Sequence, residues 1–417
     1  MTIGFDAGDG FDGSPARPDR LAESEPELVE RIRAEIMTGG PIPFARFMEL
    51  ALTDPEHGYY TSPVARPTRE GDFLTAPEMH PIFGATLARI VDETWRLLGE
   101  PADFTLREHG AGSGTLALAI LEELRRTSPA LGSLLRVEPI ELNPHRRTEC
   151  VERFAAAGLA GQLALVPGNP ATGGLASRTP ITGVIVANEY LDALPVHRVR
   201  VEGGLLREIF TCWRDGWFAD LPGEPSTSEL AARLADEGVV LAEGQDAEIC
   251  LVIDVWARAA ARELERGIVL VIDYGRDAAE LYGPSRRGGT LLAYAGHAVE
   301  EDPYRRVGKQ DLTAHVDLTA LTRAAEHGGL STLGIRTQAE LLVGAGRGEL
   351  LEAARSDPTM TESAYLLLRS AVIRLLDPRA TGAFRAVILG RDPAAGSELR
   401  ALSFRLPSHG PPGTRVS

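Results

Sequence analysis

The chain has 417 residues, enough for one large domain with additions or for two. Hydrophobic residues make up 44% and charged residues 24%, as in a globular protein, while a formal net charge of -16 disfavours DNA or RNA as the main partner, because phosphate binding needs a basic footprint. No apolar run approaches the ~20 residues of a membrane span, the stretch from Met1 to Glu25 has neither a basic nor an apolar leader segment, and the three cysteines Cys150, Cys212 and Cys250 form no C-x-x-C pair, so a cytoplasmic protein without a metal site is expected.

Residues 1–24, rich in Gly, Asp, Ser and Pro, read as a disordered tail. A helix follows, with Ser24 as N-cap, Pro26 in the first turn and Glu27 at the capping-box spacing. Leu28, Ile32 and Ile36 share one face, and Gly39-Gly40 ends the helix. A second helix after Pro43 carries the apolar stripe Phe44, Phe47, Met48 and Ala51. The loops DPEHGYYTSP and GDFLTAPEMHPIFG lead to a third helix from about Pro81 to Leu98. Residues 25–100 are thus expected to be a helical entry region. From 101 to 392, strand-like segments (FTLREHG, RVEPIEL, QLALVP, GVIVANEY, GIVLVIDYG, AFRAVILGRD) alternate with helical ones. That alternation predicts an α/β fold: a Rossmann-like parallel sheet with helices on both faces. Between GVIVANEY and GIVLVIDYG, a stretch at about 197–266 holds hairpin-like RVRVEGGLLREIF and CWRDGWFAD and the helix ELAARLADEG. It reads as an insertion, and residues 393–417 read as a flexible tail.

Chemistry concentrates where strands end. The run Glu108-His109-Gly110-Ala111-Gly112-Ser113-Gly114-Thr115 joins the first strand to its helix. Glycines there permit a tight turn and close approach of a ligand. A dinucleotide site would read G-x-G-x-x-G, with a phosphate on the helix N-terminus. Here the pattern is G-x-G-x-G behind an acid. Glu108 would suit a cofactor with no phosphate and two cationic groups, as in S-adenosyl-L-methionine. A ribose-binding acid is expected at the end of the second strand; Glu141 is the candidate and Glu138 its rival. In open α/β sheets ligands sit beyond the carboxyl ends of strands. Asn188, Glu189 and Asp192, just after GVIVA, therefore offer an amide and two carboxylates able to hold a guanidinium. A capping role for Asp192 and a solvated Glu189 are the plainer alternatives. Asp273-Tyr274 ends a later strand, facing the site or solvent. His315 and Asp317 share a face if TAHVDL is extended, serving either structure or substrate.

Taken in order, GPIPFARFMELALTDPEHGYY, GDFLTAPE, EHGAGSGTL, ANEYLDALPVH, VIDYG, GTLLAYAGH, DPY and QDLTAHVDLTAL with TQAELL resemble the MidA-like class I S-adenosylmethionine-dependent methyltransferases. That family includes the mitochondrial complex I assembly arginine methyltransferase. The resemblance implies a class I methyltransferase fold with a helical N-terminal part and S-adenosyl-L-methionine held at Gly110, Gly112 and Gly114. It implies that GDFLTAPE folds over the active site, bringing Thr75 and Pro77 to the cofactor and Asp72 and Glu78 to the substrate; His315, from the alternation in TAHVDL, is a further candidate for substrate contact. The chain departs from the family pattern at His109, Ala111 and Ser113 in the glycine turn, at Ala76 and His80, and at Arg276. The activity expected is methylation of an arginine guanidinium on a protein, with Glu189 orienting it and Asp192, Asn188 or Glu78 assisting. The alternatives are a methyltransferase for a small molecule or another side chain, or a cofactor-binding assembly factor with little catalysis.

Overall fold

Seven strands form the central sheet: β1 (Thr105–His109), β2 (Arg136–Glu141), β3 (Val166–Pro167), β4 (Ile181–Asn188), β5 (Leu264–Asp273), β6 (Ser331–Thr337) and β7 (Arg385–Arg391). Their order across the sheet is β6-β7-β5-β4-β1-β2-β3. The neighbours from β5 through to β3 pair parallel, and β7 runs antiparallel to both β5 and β6. This computed structural model describes residues 21, 23–62, 76–168, 179–295, 298–300, 302–391 and 399–406.

The helices that bear on the site are α1 (Pro26–Gly39), α2 (Phe44–Thr53), α3 (Ala76–Met79), α4 (Ile82–Leu97), α5 (Thr115–Thr127), α6 (Pro144–Ala156), α7 (Val252–Glu263) and α8 (Leu318–His327). The central strands are apolar on both faces because helices cover both. Val184, Val186, Ile268 and Leu270 pack with α4 and α5, while Ile185, Ala187, Val269 and Val271 pack with α7 and α8. Strand alternation then sorts β1. Glu108 lies on the side of Leu106, with α5, and Arg107 and His109 reach α7.

The structure differs from the sequence expectations at several points. The residues at 25–100 do not form one helical unit. α1 and α2 bury Leu28, Ile32, Phe44, Phe47 and Met48 against Phe218, Tyr304 and Leu312, and Ile42–Pro43 pairs with Leu205–Arg214. Among the described residues of this stretch, α4 and Ala76 of α3 join the core of the central sheet. Ser24 is not the N-cap of α1; Glu25 is, and the Ser24 hydroxyl accepts the Val307 N–H at 3.0 Å. The inserted sheet (His197–Glu202, Leu205–Arg214, Trp217–Gly223, Asp246–Ile249) ends before α7. α7 belongs to the core because Ile253, Trp256, Ala257 and Ala260 are at most 1% exposed beneath the central sheet. After Asp392, Leu399 and Ala401 are buried in the core, so 399–406 is packed chain rather than a loose tail.

Candidate functional site

The strand order reverses between β1 and β4, and the crevice beyond their carboxyl ends is where an open α/β sheet takes its ligand. The glycine turn follows β1, and Asn188 to Asp192 follow β4, so the two sequence candidates flank one crevice. Gly110, Gly112 and Gly114 have φ of 71°, 55° and 73°. A Cβ on Gly110 would lie 2.5 Å from the Tyr190 ring, so this glycine lets the two loops touch. A Cβ on Gly112 would meet nothing within 4 Å: backbone there faces open space.

Glu108 is 5% exposed, and burial pushes its carboxyl up to about 8 despite the Ala117 N–H; nearby Glu141 adds to the rise. Its Oε2 is buried with no hydrogen-bond partner. Glu141 accepts the Gly112 N–H through Oε2 and the Asn143 N–H through Oε1, both at 2.7 Å, and burial raises its carboxyl against those bonds. The rival Glu138 is excluded: it is an ion-pair partner of Arg107 at 2.6 Å and of Arg136 at 2.9 Å. Asn143, which sequence reasoning passed over, caps α6 and donates to the carbonyls of Tyr60 and Ser62 at 2.9 and 3.1 Å, fastening the N-terminal chain to the end of β2. An orphaned buried carboxylate oxygen, an acid at the second strand end and a bare glycine backbone together fit a cationic adenosyl cofactor.

The departures in this turn have structural partners. His109 Nδ1 accepts the Trp256 indole N–H at 3.1 Å, and its Nε2 lies 3.3 Å from Glu263. Arg153 of α6 donates to the Ser113 carbonyl at 3.1 Å and to its hydroxyl at 3.3 Å. His80 Nδ1 accepts the Ile82 N–H at 3.0 Å, at the start of α4.

Across the crevice, Glu189 has φ of 50°. A non-glycine residue holds that left-handed conformation at a cost of about 1–3 kcal/mol, and such residues cluster at functional sites. Its Oε1 accepts the Ala76 N–H of α3 at 3.0 Å and the Asn188 amide at 3.1 Å. Burial pushes its carboxyl up to about 7 against the Ala76 bond, with Asp273 and Glu78 adding to the rise. Asn188 Oδ1 is buried without a partner. Asp192 is 7% exposed and caps no helix; burial and the charges of Asp273, Asp311 and Glu189 hold its carboxyl well above the usual range. Asp273 is not solvated: it is 1% exposed and accepts backbone N–H groups of the neighbouring turn. The Tyr60 hydroxyl donates to Asp311 at 2.7 Å. Tyr294 and Tyr274 both feel the Asp192 charge. His315 stacks on Tyr274 with ring centroids 5.9 Å apart, and burial beside Arg286 and Arg276 pushes its imidazole down to about 4.

Asp317 does not join His315: its carboxylate caps α8 at the Ala320 N–H and accepts the Tyr282 hydroxyl. Pro77 and Glu78 lie in α3, while Asp72 and Thr75 lie outside the described residues. Tyr60, Tyr294 and Asp311 were missed, although each lies inside a segment that carried the family resemblance. No helix among the described residues is long and apolar enough to cross a membrane.

Residues 86–336 match the sequence profile of a family described as S-adenosyl-L-methionine-dependent methyltransferases. The chain is 28% identical over 333 residues to the mitochondrial protein arginine methyltransferase NDUFAF7 homolog of Drosophila melanogaster, covering 76% of this chain and 74% of that protein. It is 27% identical over 389 residues to mitochondrial protein arginine methyltransferase NDUFAF7 of Homo sapiens, covering 85% and 81%. A Burkholderia thailandensis protein crystallised with S-adenosyl-homocysteine is 32% identical, with a TM-score of 0.80 over 94% of this chain and 97% of that one. The curated relatives are mitochondrial proteins, and this overturns the expectation of a cytoplasmic address, which rested on the apolar runs, the N-terminal composition and the cysteine spacing.

Proposed function

The chain belongs to this S-adenosyl-L-methionine-dependent methyltransferase family, and on that premise we propose that it methylates an arginine guanidinium nitrogen on a protein. The observation that carries this reading is the gathering of Glu189, Asp192 and Asp311, with Tyr60, Tyr274 and Tyr294, around the carboxyl ends of β4 and β5. A guanidinium stays protonated at any pH the protein survives and presents five donors in a plane. Carboxylates and phenol oxygens are what such a cation needs. The names of the curated relatives support the same reading.

The bound cofactor supplies an electrophilic methyl group on a cationic sulfur. Glu108 provides negative charge for its ammonium, Glu141 turns remaining lone pairs to the ribose hydroxyls, and the Gly110, Gly112 and Gly114 backbone lets it come close. Pro77 of α3 is assigned to the cofactor, and Glu78, whose charge bears on Glu189, to the acceptor. Glu189 orients the guanidinium and draws its positive charge away from the attacking nitrogen, which keeps its lone pair available. Asn188 fixes that carboxylate, and Asp192 holds the far side of the cation. The proton that the methylated nitrogen sheds passes to Glu189, whose titration near neutrality suits it to accept and release one. His315, neutral at pH 7, walls the acceptor beside Tyr274 without adding a competing cation. The departures at His109, Ser113 and His80 serve turns and helix ends behind these groups, so they leave the reacting surface intact.

The test is calorimetry with S-adenosyl-homocysteine followed by transfer of labelled methyl into a cell extract. A labelled protein band whose label is recovered as methylarginine is expected. Glu189→Gln should keep cofactor affinity and lose transfer by about 100-fold or more. Label recovered only in small molecules, or full transfer by Glu189→Gln, overturns the reading.

A further inference from the structure

The chain leaves β4 through a turn whose shape one buried side chain explains. Glu189 is left-handed, and its N–H donates to the Ile272 carbonyl at 2.8 Å. The next three amides, of Tyr190, Leu191 and Asp192, all donate to Asp273 Oδ2, at 3.1, 2.8 and 3.3 Å. The other oxygen, Oδ1, accepts the Tyr274 N–H at 2.8 Å. Successive N–H groups around a left-handed residue form an anion-binding concavity. Here the anion is built in, supplied by the end of β5.

We propose that Asp273 is the positioning residue of the acceptor site: by filling this concavity it holds Glu189 left-handed, with its carboxylate directed at α3. Asp273 touches neither cofactor nor acceptor in this proposal, which rests on the reading of Glu189 given above. The same turn is tied from the other side, where the Ala314 N–H donates to the Asp192 carbonyl at 2.9 Å and the Val316 N–H to the Tyr274 carbonyl at 2.8 Å. Asp273 thus sits at the joint between β4, β5 and the chain that carries His315.

A second consequence is electrostatic. Burial opposes the charge of Glu189, and four neighbouring groups bear on it: Ala76 N–H and Asn188 favour it, while Asp273 and Glu78 oppose it. Asp192 feels Asp273, Asp311 and Glu189, and the phenols of Tyr60, Tyr274 and Tyr294 face the same carboxylates. Burial pushes Asp273 up to about 6 against its four amide donors, so it carries its charge more readily than Glu189 and pushes protons onto it. Removing its charge should let Glu189 ionise at lower pH.

The decisive variant is Asp273→Asn. Affinity for S-adenosyl-homocysteine should hold, transfer should drop by about 100-fold because the carboxylate is displaced, and the pH profile of the residual transfer should move to lower pH. A residue that only stabilised the fold would not move that profile. If the wild type transfers no methyl group, the activity reading fails, yet Asp273 is still tested by carboxyl-carbon NMR of protein with labelled glutamate, assigned with Glu189→Gln. The Glu189 midpoint should fall in Asp273→Asn, and an unchanged midpoint overturns the proposal. Should Asp273→Asn not fold, hydrogen exchange of the wild type decides: the amides of Tyr190, Leu191 and Asp192 must exchange as slowly as those of β4, and rapid exchange overturns it.

Discussion

Gly110 and Gly112 share a positive φ and serve different ends. At Gly110 a side chain would strike Tyr190 and push apart the two loops of the crevice; at Gly112 it would enter open space against which Glu141 has already fixed the backbone. Gly112→Ala should therefore cost only about 1–2 kcal/mol of stability, the price of a left-handed alanine, while weakening S-adenosyl-homocysteine far more than that figure implies. Gly110→Ala should lose stability and binding together. Denaturant unfolding beside calorimetry separates the two, and wild-type affinity in Gly112→Ala would show that the ligand passes elsewhere. At this scale local spacing was enough to bring the glycines, Glu108, Glu141 and the acids after β4 to one crevice. The sequence was illegible where a role needs a distant partner. Tyr60 finds Asp311 across 251 residues, and no local pattern announces that contact. Glu138 could be set aside only once Arg107 was seen beside it, and alternation left structure and substrate both open for His315 and Asp317, of which Asp317 takes the structural one as the cap of α8.

The cofactor side depends on β1 being held to α7 by a buried polar network. Arg107 pairs with Glu138 at 2.6 Å and Glu263 at 3.1 Å and donates to the Thr179 carbonyl, while His109 joins Glu263 and Trp256. Arg107 is 3% exposed, and its loss would leave Glu138 with Arg136 and Glu263 with His109. Breaking one partner of such a network costs about 3–5 kcal/mol, so Arg107→Ala should lower unfolding stability by that order. Arg107→Met, which fills the volume but leaves the same carboxylates, should fare little better. A loss under about 1 kcal/mol would mean that the network is dispensable. The elements themselves followed their patterns wherever both faces are apolar, as in β4 and β5. β6 was missed because Ser331–Thr337 contains a glycine and polar residues and is half exposed at the sheet edge. The partners of α1 and α2 were equally hidden, since an amphipathic stripe states that a face is buried without stating against what.

At the scale of the molecule, the carboxyl edge of the sheet stores protons. Glu108 titrates at about 8 and Glu189 at about 7, against 4.5 for an ordinary glutamate. A carboxyl whose folded value is raised binds more protons than the unfolded chain, so its contribution is complete below about 4.5 and is lost as pH rises through the folded value. Two half-buried histidines act in the opposite sense. His80 and His315 are held below 6.5, so their contribution grows as pH rises to about 6.5 and then stops changing. Above that pH the raised carboxyls lead, joined from about pH 9 by the thiols of Cys150 and Cys250, which burial pushes up to about 12, and the cofactor-free protein should lose stability between about pH 7 and 9. A cationic ligand reverses the balance, because it favours the ionised Glu108 and releases its proton. S-adenosyl-homocysteine, which keeps the ammonium, should raise the melting temperature more at the alkaline end of that range, bind more tightly there, and give a calorimetric enthalpy that varies with the ionisation heat of the buffer. Glu108→Gln should flatten all three dependences together. Stability that climbs through this range without ligand, or binding that takes up no part in proton release, would place the charge of the cofactor away from Glu108 and leave that orphaned oxygen unexplained.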